Sequence, residues 1–175
     1  MGHVISQNTY DAIQFLGATN ATNVLSWWDY ALEIKIAGKD PVINYASENI
    51  KWTVARPSVI EEYDSEEKVR DVANFFVYEN EEESQEIAIK YNANYIFVHY
   101  PWDLWKFSAI VTASGKDPGD YIKVNFTTNE EWMKEVENRT LAKKDTIGIK
   151  MIYGDEVHGF EKVFENDDVR VYHVK

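Results

Sequence analysis

At 175 residues the chain is the size of one ordinary domain, able to bury roughly 70% of the surface its unfolded form exposes, so a hydrophobic core forms without disulfide or metal staples. It has no cysteine, which excludes disulfides and thiolate metal sites and leaves the redox compartment open. Eighteen basic residues against 30 acidic ones give a net charge of −12, which argues against a nucleic-acid backbone or an anionic lipid surface as partner.

Ser6 is placed to cap a first helix over residues 8–16, with Ala12, Ile13 and Leu16 on one face and Gly17 as its stop. A short buried strand is expected at 24–27. Residues 28–37 fit a helix and a strand equally well, because Leu32, Ile34 and Ile36 alternate while also sharing helical spacing, and Gly38 ends either. A short helix is predicted over 47–55, halted by Arg56-Pro57. A firmer one opens at Ser65-Glu66-Glu67 and runs through Val72, Phe75 and Phe76.

Residues 84–91 read as a further helix. Tyr95-Ile96-Phe97-Val98-His99 is the strongest strand signal in the chain, and a helix over 102–112 follows it directly. A strand at 121–126, a helix at 129–141 and three alternating segments at 147–153, 160–164 and 169–174 complete the pattern. The expected fold is α+β, a mixed α/β arrangement with several helices in the first two-thirds packed on a small sheet whose strands concentrate toward the C-terminus. No Ser/Gly-rich linker or fixed-period repeat divides residues 1–175, which read as a single domain. Met1-Gly2-His3 looks like a cloning scar before a segment that begins at Val4 or Ile5, as in a piece excised from a larger protein. No stretch approaches the roughly 18 to 20 consecutive apolar residues of a membrane span, so the segment itself reads as soluble.

Two groups of residues carry chemistry. In Ser26-Trp27-Trp28-Asp29-Tyr30-Ala31 the adjacent tryptophans point to opposite sides if the segment is extended, so only one is readily buried. Indole supplies a flat apolar wall and one N–H donor, while Asp29 only accepts; together they suit the methyl and hydroxyl of a threonine. A site of this kind rejects analogues lacking the hydroxyl, because its own polar groups are then left unpaired. The bland alternative has Asp29 capping the next helix while both tryptophans pack. In the helix after the strong strand, Asp103, Lys106 and Ile110 stand at i, i+3 and i+7 and share one face. Here the bland alternative is an amphipathic helix with Asp103 and Lys106 as a salt bridge.

The first string resembles the WWDYG signature of the oligosaccharyltransferase catalytic subunit, and the second resembles that family's DK motif, D-x-x-K-x-x-x-M/I, beginning 74 positions after Asp29. Two motifs in the right order are more specific than either alone. The similarity extends over essentially the whole chain, to the soluble C-terminal globular domain of the compact archaeal, AglB-like type. The resemblance implies that Trp27, Trp28, Asp29, Lys106 and Ile110 form a pocket for the Ser or Thr at +2 of Asn-x-Ser/Thr, with Tyr30 and Asp103 as motif support. It also implies a multi-pass parent enzyme in the cell membrane, with this domain on the extracellular face. That enzyme transfers a lipid-linked oligosaccharide from a dolichol-type carrier to asparagine. A divalent metal, Mg or Mn, and the catalytic carboxylates belong to its N-terminal transmembrane region, so this segment is expected to hold no catalytic residue and no metal and to be inactive alone.

One position departs from the motif, since the family's final glycine is Ala31 here. If that glycine has positive φ, alanine is strained; if it serves close packing, alanine adds a methyl. The histidines show no metal-ligand spacing, and phosphate loops and nucleophile elbows are absent. Competing readings are a carbohydrate-binding or protein-interaction module, since tryptophans and tyrosines stack on sugar faces, and a hydrolase pairing Asp29 with Asp103 or Glu33.

Overall fold

A computed structural model of the chain describes residues 5–44 and 65–175; the helix expected over 47–55 lies outside them. The described residues form seven α-helices and one five-stranded sheet, the α+β fold expected from the sequence.

The first helix, α1 (Gln7–Ala18), is capped by Ser6, whose hydroxyl accepts from Thr9 N at 3.1 Å. Its inward residues Thr9, Ala12, Ile13 and Leu16 recur at helical spacing. Gly17 does not end it. A Cβ at Gly17 would stand 3.3 Å from Ala37 O, so this glycine allows another helix end to approach, and α1 runs one residue beyond it. Strand β1 (Asn23–Leu25) follows, and the ambiguous segment resolves as a 3-10 turn at Trp28–Tyr30 running into α2 (Ala31–Ile36). Ile34 is buried while Leu32 and Ile36 are exposed. Strand β2 (Asp40–Pro41) closes this unit.

Helix α3 (Ser65–Val77) forms where predicted. Helix α4 (Glu81–Lys90) starts three residues earlier than 84, because Asn80 caps it through Glu82 N at 2.8 Å and three glutamates fill its first turn. Strand β3 (Ala93–His99) leads through a cis Tyr100–Pro101 peptide into α5 (Trp102–Ala113). The strand expected at 121–126 does not form; Ile122 makes an isolated bridge with Ala142. Helix α6 (Asn129–Glu137) stops short of 141, because Arg139 adopts φ 58°.

The segment Ile147–Tyr153, expected to be a strand, is helix α7. Thr146 caps it through Ile149 N and Gly154 ends it at φ 79°. A Cβ on Gly148 would lie 2.7 Å from Phe76 O, so the helix presses directly on α3. Strands β4 (Phe160–Glu165) and β5 (Val169–Val174) form the closing hairpin.

The sheet order is β2-β1-β3-β5-β4, with β2, β1 and β3 parallel and β5 and β4 antiparallel additions. Alternation along β3 divides the core. Ile96 and Val98 join the larger cluster with Phe75, Phe76, Phe107 and Ile147, whereas Tyr95 and Phe97 join Ala12, Leu16, Tyr30 and Ile34 on the other face. His99 continues that second face, which is where the two motifs meet.

Candidate functional site

The end of β3 and the first turns of α5 place His99, Asp103 and Lys106 against the 3-10 turn that carries Asp29 and Tyr30. Asp103 is buried, 2% exposed, and both of its oxygens are engaged: Tyr30 OH donates to Oδ1 at 2.8 Å and His99 N donates to Oδ2 at 2.7 Å. Burial pushes its carboxyl up to about 6, an effect that nearby Lys106 and the two hydrogen bonds partly oppose. The Tyr30 phenol is raised well above its ordinary value, by burial first and then by the Asp103 charge. Tyr30 stacks on the His99 ring, centroids 5.6 Å apart and planes 7° from parallel. Burial lowers the imidazole of His99, whose Nε2 lies 3.3 Å from Thr9 Oγ1.

Above this buried layer, Lys106 Nζ donates to Tyr30 OH at 3.2 Å, lies 4.6 Å from the Tyr30 ring centroid, and pairs with Asp29 Oδ2 at 3.4 Å. The helix spacing of Asp103 and Lys106 thus does not yield the salt bridge that the bland reading anticipates; the ion-pair partner of Lys106 comes from the other motif. The Asp29 side chain remains 38% exposed and that of Lys106 25% exposed. Both Asp103 oxygens thus accept from within the fold, and Asp103 does not line the cleft that Asp29 and Lys106 border.

Asp29, Tyr30 and Lys106 line a cleft of about 430 Å³. Trp27, Trp28 and Ile110 do not. Trp27 is 1% exposed and stacks on half-buried Trp28 at 4.5 Å, because the chain turns into a 3-10 helix at Trp28 instead of staying extended. Ile110, also 1% exposed, belongs to the same core cluster as Trp27. Asp29 makes no capping hydrogen bond, since neither the 3-10 turn nor α2 has a side-chain cap. Ala31 has φ −60° and is fully buried, so alanine is unstrained at the motif's glycine position.

The cleft also contains Thr9, Glu33, His99, Trp102 and Asp168, none of which the motifs announce. The signals for two of them are periodic: Glu33 lies at i+4 from Asp29, and His99 extends the Tyr95, Phe97 face of its strand. Among the described residues no three His, Asp or Glu side chains gather to hold a metal ion. No described helix is long and apolar enough to cross a membrane.

The chain has the fold of the C-terminal globular domain of archaeal oligosaccharyltransferase. Two solved structures of that domain from Archaeoglobus fulgidus, one of them AfAglB-S2, superpose with TM-scores of 0.60 and 0.54 at 20% sequence identity; they cover 97% and 99% of this chain and 98% of each of theirs. No family model and no curated protein matches the sequence.

Proposed function

We propose that this chain is the acceptor-recognition domain of an oligosaccharyltransferase, and that it binds the Ser or Thr at +2 of Asn-x-Ser/Thr. The observation that carries this reading is the meeting of Asp29, from the tryptophan motif, with Lys106, from the DK helix, at the mouth of one cleft. A hydroxyl there donates to the Asp29 carboxylate and accepts from the Lys106 ammonium, exchanging their mutual contact for two charge-assisted hydrogen bonds. The Trp27–Trp28 stack supports Asp29 from the adjacent backbone, and Ile110 contributes to the core behind it. Alanine or valine at +2 leaves the pair without the hydroxyl and is rejected.

In this reading the domain does not break or form the glycosidic bond. The parent's transmembrane region supplies the divalent metal, Mg or Mn, and the carboxylates, and binds the lipid-linked oligosaccharide. This domain stands on the extracellular face and holds the acceptor so that its asparagine nitrogen is near the donor sugar. Asp29→Ala in the full-length enzyme is expected to lower kcat/KM for a threonine acceptor by about 100-fold, on the order of 3 kcal/mol of lost transition-state stabilisation, while the isolated domain stays folded. Retained activity toward that acceptor would remove Asp29 from the pocket.

The exposed indoles of Trp102 and Trp105 favour one competing reading, a carbohydrate-binding module. That alternative expects saturable binding of free glycan by the isolated domain, abolished by Trp102→Ala and indifferent to Asp29→Ala.

A further inference from the structure

The cleft holds a group that the hydroxyl pocket does not use. Glu33 is 93% buried and lines the cleft on the α2 side, and its Oε2, closed off from solvent, has no hydrogen-bond partner. A buried carboxylate with a free oxygen is costly unless something pairs with it. The other charged groups of the cleft are committed. Lys106 is engaged by Asp29 and Tyr30, and Asp168 accepts from the Ser6 hydroxyl at 2.7 Å. Burial favours the neutral form of His99. The cleft therefore presents Asp29, Glu33 and Asp168 against a single lysine, and its buried side-chain atom without a partner, Glu33 Oε2, is an acceptor.

Trp102, 55% exposed, forms part of the same wall. Its indole face suits an aliphatic stem ending in a positive charge, through apolar contact and cation–π attraction. We propose that this part of the cleft is a second acceptor subsite, in which Glu33 receives the cationic side chain of a lysine or arginine adjacent to the hydroxyl-bearing residue. This rests on the proposed acceptor reading and adds a charge preference to it: basic residues flanking the Ser/Thr are favoured and acidic ones are repelled by the three carboxylates.

The test is a competition in the full-length membrane enzyme between acceptor peptides carrying Lys, Ala or Glu, either between Asn and Thr or directly after Thr. At one of these positions Lys is expected to exceed Glu by about fivefold or more in relative kcat/KM, equivalent to about 1 kcal/mol. Glu33→Gln keeps the side chain's size and relieves a buried charge, so the fold is retained, and it should bring the ratio to within about twofold. Indifference to charge in the natural enzyme, or the same discrimination in Glu33→Gln, overturns the proposal. A parallel series with Ala replacing Thr separates the two failures. If those peptides react as well as the Thr peptides, the acceptor reading itself fails; if Thr is required but charge is not sensed, only the Glu33 subsite fails.

Discussion

Asp29 and Asp103 flank the same two side chains, Tyr30 and Lys106, yet occupy opposite environments. Asp103 is buried beneath them, holds two donors and is pushed up to about 6. Asp29 stands over them, partly in solvent, and forms an ion pair with one lysine 3.4 Å away. The floor of the cleft is built from satisfied hydrogen bonds that fix geometry, whereas the rim keeps its charges within reach of an incoming group. Identical carboxylates thus divide into one that fixes geometry and one left partly open to solvent, according to burial and the number of committed lone pairs.

The sharpest way to break this contrast is Asp103→Ala. It leaves the Tyr30 hydroxyl and the His99 amide without their acceptor, and is expected to cost about 2–5 kcal/mol in urea unfolding. Asp29→Ala, by contrast, should change unfolding free energy by no more than about 0.5 kcal/mol, since exposed ion pairs contribute little. Equal losses in the two variants would erase the distinction between floor and rim.

The floor should also reveal itself through pH. The folded chain holds the Asp103 proton up to pH about 6, whereas the unfolded chain releases it near 4. Protonation therefore favours the folded state, and this contribution is full below about pH 4 and lost as pH rises to about 6. The stability of the natural chain relative to Asp103→Asn should fall across that window and be flat above it, as measured by chemical denaturation at a series of pH values. Constancy through the window would show that Asp103 titrates as an ordinary surface acid. The smallest expected effect is at the turn joining floor to rim. Ala31→Gly, which restores the motif's glycine, should destabilise by about 0.5–1 kcal/mol, because position 31 is already helical; a gain in stability would mean that the turn prefers another conformation.

The motif residues and the β3-to-α5 unit were legible in the sequence because local periodicity determines them. Contacts between elements were not. Helix spacing pointed Lys106 toward Asp103, but the approach of the 3-10 turn supplied Asp29 instead, and that turn stacked Trp27 on Trp28 where an extended chain would have separated them. Ile147–Tyr153 imitated a strand because Ile147, Ile149, Met151 and Ile152 are all buried. A helix enclosed on several sides loses its amphipathic stripe, leaving the cap Thr146 and the stop Gly154 as its truer signals. Glu33 gave little warning, since an acid in a short helix is ordinarily solvated, and only the packing of α2 buries it and leaves its Oε2 without a partner.

The ties between Ser6 and Asp168, and between the Asn166 side chain and the carbonyl of Asn8 at 2.8 Å, bring the beginning and end of the described chain together at the cleft. During translation Asp29 and Lys106 emerge well before the β4–β5 hairpin exists. The border of the cleft is therefore synthesised last, and a chain truncated before residue 166 carries both motifs but lacks the Asp168 side of the cleft.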